Sequence, residues 1–152
     1  MAKSSKNAPE DTSGHLDQQL CFALYAASTA MTRVYRSLLE ELGLTYPQYL
    51  VLLVLWEKGT VRLGEIAEDL ELATHAVSPI IDRLEQADLV QRVKDPNDAR
   101  AVLVKLTRSG RNLEASGVAI REEVRRRTAL KTSEINRLRG ELQNLVELLN
   151  AE

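Results

Sequence analysis

One cysteine and four tyrosines are the residues of this chain that invite a redox interpretation. Cys21 is the only cysteine among 152 residues, so the chain cannot form an internal disulfide or a dithiol switch. Tyr25, Tyr35 and Tyr46 follow it by 4, 14 and 25 positions. Phenolic hydroxyls that donate hydrogen bonds to sulfur favour a thiolate, the form that reacts with oxidants. The pattern is compatible with a reactive thiol, although an isolated cysteine on an apolar helix is more often an inert core residue.

Helix geometry limits which of these tyrosines can meet the cysteine. Tyr25 lies one turn after Cys21 and shares its helix face. Tyr35 lies 14 residues further along, or about 21 Å at 1.5 Å per residue, so it cannot touch Cys21 of its own chain. In an antiparallel dimer, Tyr35 and Tyr46 of one subunit would instead donate hydrogen bonds to the Cys21 sulfur of the other.

A basic segment is the second group with chemical meaning. The chain has a formal net charge of −2 and a pI of about 5.8, which gives no global sign of nucleic-acid binding. Between Arg92 and Arg111, however, there are six basic and two acidic residues, a local charge of +4. Such a patch suits a phosphate backbone, and an extended arginine at a hairpin tip suits a narrow minor groove. A solvated surface turn is the alternative interpretation.

The spacing of apolar residues and turn formers predicts the elements that must position these groups. Two short helices joined by a tight turn at 71–73 form a helix-turn-helix pattern. In order, we expect a long helix over 16–42, an apolar helix over 49–56, short helices over 63–70 and from Thr74, strands over 89–93 and 101–106 joined by a turn at 94–100, and helices carrying 113–124 and 135–149.

Several residues are predicted to begin or end these helices. Gly43 is placed as the C-cap of the first helix, and Thr45, ahead of Pro47, as the N-cap of the second. Thr107 or Ser109 is expected to cap the helix after the second strand. Ser133 is expected to cap the last helix.

Length and composition exclude several protein classes. A chain of 152 residues with 44% hydrophobic and 28% charged residues predicts one globular domain over 14–152, preceded by a flexible tail over 1–13. No apolar run approaches the roughly 20 residues of a membrane span, and no signal peptide is evident, so we expect a cytoplasmic protein without a membrane partner.

Enzymatic motifs are not evident in the sequence. His15 and His75 lack a metal-ligand spacing, and no phosphate loop or nucleophile elbow is present. A thiol peroxidase would also be expected to carry a resolving cysteine. We therefore expect neither an enzyme, nor a metal site, nor a cofactor.

From about Leu16 to Leu149 the order of elements resembles the MarR family of winged helix-turn-helix regulators. The hairpin carries the most specific match: Asp95-Pro96-Asn97-Asp98-Ala99-Arg100, followed by Leu106-Thr107 and Gly110. The resemblance implies a mainly α fold with a small β-hairpin wing, dimerised through its N- and C-terminal helices. Residues 14–44 and 108–152 would form the dimerisation helices, and 45–107 the DNA-binding region.

The same resemblance implies which residues contact DNA. Arg100 would enter the minor groove, and Asp98 would hold it through an ion pair. The second helix of the helix-turn-helix would meet the major groove. Its candidates are Thr74, His75, Ala76, Ser78, Pro79 and Arg83. Two plainer interpretations stay open: Thr74 as only an N-cap, and His75 as an ordinary exposed histidine.

The cysteine and tyrosine spacing, with the segment 43–49, resembles the organic hydroperoxide regulators within that family, known as OhrR. This implies a homodimeric repressor whose Cys21 is oxidised by an organic hydroperoxide to a sulfenic acid, after which the dimer leaves its palindromic operator. Tyr25, Tyr35 and Tyr46 would support the sensor. Without a second cysteine, the oxidised sulfur would be trapped by a small-molecule or protein thiol, or oxidised further.

Two other functions compete with this one. A MarR-type repressor could be released by a small phenolic or lipid-like ligand in an apolar cleft, with Cys21 merely lining it. A purely structural helical dimer would account for the terminal helices but leaves the charge pattern of the wing unexplained.

Overall fold

The fold is mainly helical with a three-stranded sheet, as a computed structural model describes it for residues 14–151. The predicted tail, residues 1–13, lies outside the described residues. The elements are α1 (Leu20–Leu39), α2 (Tyr46–Lys58), β1 (Val61–Arg62), α3 (Leu63–Asp69), α4 (Thr74–Gln86), β2 (Val90–Asp95), β3 (Asp98–Leu106), α5 (Arg108–Asn112), α6 (Glu114–Thr128) and α7 (Thr132–Asn150).

The first helix is shorter than its apolar periodicity predicts. Gln19 has an extended backbone (φ −80°, ψ 117°) and separates α1 from a 3₁₀ turn at Leu16–Gln18. A second 3₁₀ turn, Glu40–Leu42, tightens the other end, and Gly43 follows in the left-handed conformation (φ 67°). The prediction of one continuous helix over 16–42 is thus wrong at its ends, whereas the glycine C-cap is confirmed.

Helix α2 lies at the centre of the core because its residues are largely apolar. Its beginning is fixed by local hydrogen bonds. Thr45 Oγ1 accepts a hydrogen bond from the Gln48 amide at 3.3 Å, and Gln48 Oε1 accepts one from the Thr45 amide at 3.0 Å. This reciprocal capping confirms the predicted N-cap. The fully buried side chains are Leu39, Tyr49, Val51, Leu52, Leu55, Ile66, Val77, Ile81, Leu84, Val90 and Val104.

The wing is longer and better supported than its sequence suggests. Strands β2 and β3 pair antiparallel from Val90 opposite Leu106 to Asp95 opposite Asp98, so the predicted turn over 94–100 shrinks to Pro96 and Asn97. Strand β1, which sequence analysis missed, pairs with the other edge of β3. The winged helix-turn-helix is confirmed, with its hairpin anchored in a sheet of order β1-β3-β2.

The segment after the wing turns sharply where one helix was predicted. Thr107 Oγ1 accepts a hydrogen bond from the Gly110 amide at 3.1 Å, which confirms Thr107 as the cap of α5, but the helix breaks at Leu113 before α6. A Cβ at Gly110 would collide with the Leu89 carbonyl oxygen, so only glycine allows this approach. Trp56 Nε1 donates to the Gly110 carbonyl at 3.0 Å and fastens α2 to the same point.

The last helix begins two residues earlier than predicted. Lys131 is the N-cap of α7, and its amide donates to a Glu134 carboxylate oxygen at 2.7 Å. Ser133 is therefore already helical, and its assignment as the cap is wrong. None of the side chains of α7 is buried within the chain.

Within residues 14–151, no single helix has the length and apolar character needed to cross a bilayer. Only Leu20–Leu42 and Tyr46–Lys58 taken together reach that composition, and the chain bends by 75° between them.

Candidate functional site

The exposed face of α4 carries most of the predicted DNA-contacting side chains. Val77, Ile81 and Leu84 point into the core, which turns the opposite face outward. The exposed candidates are Thr74, His75, Ala76, Pro79 and Arg83. The N-cap of α4 is Ala73, with no side-chain capping bond, so the interpretation of Thr74 as only an N-cap is wrong.

Ser78 differs from the other α4 candidates because it is already engaged within the protein. It is half-buried, and both its hydroxyl and its carbonyl oxygen accept hydrogen bonds from Arg92 Nη2 at 3.1 Å. Pro79 lies within the helix and has no amide hydrogen, which leaves the His75 carbonyl without its usual helical donor.

The tip of the wing is organised around Asp95 rather than Asp98. Asp95 is buried; one carboxylate oxygen accepts from Arg62 Nη2 at 2.8 Å and the other from the Asn97 amide at 2.9 Å. Asp98 accepts from the backbone amide of Arg100 at 3.0 Å. The expected Asp98–Arg100 ion pair is absent: among the described residues the Arg100 guanidinium has no ionic partner. A two-residue separation favours the backbone bond over the side-chain pair.

A groove brings the wing and the helix-turn-helix onto one face. It has a volume of about 640 Å³, and Arg62, Thr74, Arg100 and Val102 are among the residues that line it. The residues predicted for minor-groove and major-groove contact therefore lie on the same side of the domain.

The basic segment contributes less free charge than the sequence implies. Arg92 is paired with Asp82 and Glu85, and Arg111 donates to the Leu106 carbonyl at 3.1 Å. In the part of the chain that the structure describes, five basic side chains of this segment remain exposed and without an ion pair. They are Lys94, Arg100, Lys105, Arg108 and Arg111.

Cys21 lies on the exposed face of α1, near its beginning. Tyr25, one turn later, is 68% exposed. The interpretation of Cys21 as an inert residue of this chain's own core is therefore wrong. Its solvent access leaves it open to an oxidant or to a second protein chain.

Tyr35 and Tyr46 lie in an aromatic cluster with Tyr49, which sequence analysis did not assign a role. Ring centroids are 4.9 Å apart for Tyr35–Tyr46 and 5.6 Å for Tyr35–Tyr49. The Tyr49 hydroxyl donates to the Gly117 carbonyl at 3.2 Å. Across residues 14–151, the hydroxyls of Tyr35 and Tyr46 have no hydrogen-bond partner.

Tyrosine phenols are protonated at neutral pH, and burial strengthens this preference in the cluster. Loss of hydration raises the pKa of Tyr35 and of Tyr46 above the ordinary tyrosine value, and raises the pKa of Tyr49 to about 12. The hydroxyls of Tyr35 and Tyr46 are therefore available to donate hydrogen bonds to an acceptor outside the described residues.

Helices α1 and α7 expose apolar side chains, and those of α7 recur at helical spacing. On α1 the exposed apolar side chains include Leu20, Phe22 and Met31. Exposure is greatest at the end of α7, where the Leu149 side chain is 70% exposed. The α7 set is Leu138, Leu142, Val146, Leu148 and Leu149. Apolar stripes of this kind are typical of subunit interfaces.

An open cleft lies between α1, α6 and α7. Its volume is about 1070 Å³, and Tyr35, Met31, Leu138 and Arg121 are among its lining residues. The cleft is large enough for a small amphipathic molecule.

Comparison with known proteins points to one family. The MarR family model matches residues 44–102. The chain is 38% identical over 135 residues to the organic hydroperoxide resistance transcriptional regulator of Bacillus subtilis (strain 168), covering 89% of this chain and 92% of that one. These relatives are regulators of transcription rather than enzymes.

Solved structures of proteins bound to DNA share the fold. Reduced AbfR bound to DNA matches with a TM-score of 0.74 and 33% identity, over 88% of this chain and 93% of that one. A cysteine-to-serine mutant of MarR from E. coli, complexed with operator DNA, matches with a TM-score of 0.76 and 25% identity, over 83% of this chain and 92% of that one.

Proposed function

The chain belongs to the MarR family of transcriptional regulators, and from this premise we propose that it is a DNA-binding repressor that senses organic hydroperoxides through Cys21 and then releases its operator. One observation carries the sensing role. Cys21 is exposed, while the Tyr35 and Tyr46 hydroxyls are protonated and lack an acceptor among the described residues.

A homodimer supplies the geometry that a single chain lacks. Packing α1 and α7 against a second copy would bury their apolar stripes and bring Tyr35 of one subunit to Cys21 of the other. A two-fold axis would also present two α4 helices about 34 Å apart, one turn of B-DNA, which matches a palindromic operator. The exposed charges Lys94, Arg100, Lys105 and Arg108 would then face the phosphates and grooves.

The sensing reaction requires the hydroperoxide and one proton from water. The Cys21 thiolate attacks the terminal oxygen of the hydroperoxide, the O–O bond breaks, and the alkoxide takes that proton and leaves as an alcohol. The sulfur becomes a sulfenic acid, which is larger and no longer an anionic acceptor for two phenols. With no second cysteine in the chain, an external thiol condenses with it and releases water.

Operator binding before and after oxidation tests this function. We expect the reduced protein to bind an inverted-repeat DNA, and stoichiometric cumene hydroperoxide to weaken that binding by a factor on the order of a hundred. Fluorescence anisotropy measures both states, and a thiol reductant reverses the change. Undiminished binding by protein whose Cys21 is oxidised would contradict the proposal.

The cleft of about 1070 Å³ favours a second candidate, a repressor released by a bound small molecule. Cumyl alcohol distinguishes the two, because it has the shape of the hydroperoxide without its oxidising bond. Release by the alcohol at the same concentration would support the ligand-controlled repressor.

Mixed dimers test whether Tyr35 acts across the interface. A dimer of one Cys21→Ser subunit and one Tyr35→Phe subunit retains a single Cys21, which faces an intact Tyr35 only if donation is between subunits. We expect it to react with hydroperoxide at the wild-type rate in stopped-flow measurements.

The matched control places both changes on one chain. A Cys21→Ser/Tyr35→Phe subunit paired with a wild-type subunit should react more slowly, because the surviving thiolate loses one phenolic donor. The reverse order of rates would assign Tyr35 to its own chain.

A further inference from the structure

Arg92, on β2, joins the wing to α4 through five polar contacts. Nη1 contacts Asp82 at 2.7 Å and Glu85 at 3.1 Å, and Nη2 donates to both the hydroxyl and the carbonyl oxygen of Ser78 at 3.1 Å. The Arg92 amide also donates to Glu85 at 3.0 Å. All three partner residues lie on α4, the helix proposed to enter the major groove.

The surroundings of Arg92 set it apart from the other basic residues of the wing. Its side chain is only 24% exposed and two carboxylates neutralise it. Lys94, two residues along the same strand, is exposed and has no ion pair in the described chain. A phosphate would have to displace two carboxylates to reach Arg92, whereas Lys94 is available at once.

The backbone pairing of the sheet alone leaves the direction of the wing loosely determined. Strand β1 pairs only with Val104 and Leu103, near the base; beyond that point β2 and β3 pair only with each other, and the Arg62–Asp95 ion pair at 2.8 Å connects β1 to the end of β2. Three residues separate Arg92 from the end of β2, or about 10 Å of strand. A tilt of about 10° at Arg92 would move the tip by about 2 Å, enough to break a hydrogen bond to a base edge.

We infer that Arg92 is a positioning residue: it fixes the angle between the wing and α4, so that Arg100 and the α4 side chains engage adjacent grooves together, and it makes no phosphate contact of its own. The inference rests on the proposed DNA binding. It assigns to Asp82, Glu85 and Ser78 the role of holding the arginine, which removes Ser78 from the set of base contacts.

Specific and non-specific DNA affinities separate positioning from phosphate contact. For Arg92→Ala we expect operator affinity to fall by about tenfold, affinity for unrelated duplex to change by less than about twofold, and the salt slope of log K to stay constant, because non-specific binding depends on phosphate contacts. A phosphate contact would instead lower both affinities alike and reduce the slope by about 0.9 for each subunit. That result would overturn the inference.

A double variant that keeps Arg92 but neutralises its two carboxylate partners gives different results for the two models. Asp82→Asn/Glu85→Gln frees Arg92 without removing it. Positioning predicts a loss in the ratio of operator to non-specific affinity similar to that of Arg92→Ala; a phosphate contact predicts an unchanged ratio with tighter binding to both DNAs. Lys94→Ala is the matched control, expected to weaken both affinities and leave their ratio unchanged.

Folding and the proposed function are checked in the same titrations. Circular dichroism at the titration temperature verifies that each variant is folded, and Arg92→Lys, which keeps the charge but not the forked geometry, replaces Arg92→Ala if the latter unfolds. Failure of the wild-type protein to bind any operator would refute the proposed function. Wild-type binding with an unchanged ratio in the Arg92 variants would refute only the positioning role.

Discussion

A Cys21→Ser protein is expected to bind its operator as tightly as the wild type and to keep it when an organic hydroperoxide is added. Serine nearly preserves the size of the side chain and can accept a phenolic hydrogen bond, but its hydroxyl cannot become a sulfenic acid. Anisotropy titrations with and without cumene hydroperoxide measure the response. We expect the release factor to fall from on the order of a hundred to about one.

Mass spectrometry of the same samples provides the control. Wild-type protein should gain the mass of one oxygen atom, located on the peptide that contains Cys21, and the variant should gain none there. Because Cys21 is exposed and is the only cysteine, no other thiol can substitute for it. Normal operator release by Cys21→Ser would move the sensing role to the cleft and to a bound ligand.

The second large effect is expected for Arg100→Ala, which should weaken operator binding by about 1–3 kcal/mol for each wing. Arg100 is exposed on β3 and has no ionic partner in residues 14–151, so its removal costs contacts with DNA and little folding energy. Equilibrium binding at near-physiological salt measures the loss, and thermal unfolding should be nearly unchanged.

Arg126→Ala is a matched control for the loss of one positive charge. Arg126 is exposed on α6 and bound to Glu123 at 2.8 Å, outside the groove that contains Thr74 and Arg100. Its removal should leave operator affinity almost unaltered. Equal effects of the two substitutions would mean that net charge, and not the wing arginine, governs binding.

The pattern of the Arg100→Ala loss also identifies the kind of contact. A reduced salt slope indicates a phosphate contact. Lost discrimination between A·T and G·C pairs at the outer operator positions indicates insertion into the minor groove. Unchanged affinity under every condition would refute the wing assignment.

Local chemistry made much of this fold predictable from the sequence. Gly43 ends one helix and Thr45 begins the next independently of the tertiary structure. The hydrogen bonds that cap a helix join residues only three or four positions apart, so they can be predicted from the local sequence. The helix-turn-helix and the β-branched strands follow from period and composition in the same way. The exposed α4 residues follow as well, since Val77, Ile81 and Leu84 determine which face is buried.

Contacts between distant parts of the chain decided the remainder. Strand β1 has two residues, too few for any periodicity, and exists because the free edge of β3 binds it. Arg92 and Asp95 are ordinary charged residues in the sequence; their carboxylate and guanidinium partners lie 7 to 33 positions away and meet them only after folding. The family resemblance implied an ion pair between Asp98 and Arg100. In the structure the Asp98 carboxylate instead accepts a hydrogen bond from the Arg100 backbone amide, two residues later. Spacing could identify the tyrosines, whereas the missing acceptors for Tyr35 and Tyr46 became visible only once α1 and α2 had packed together.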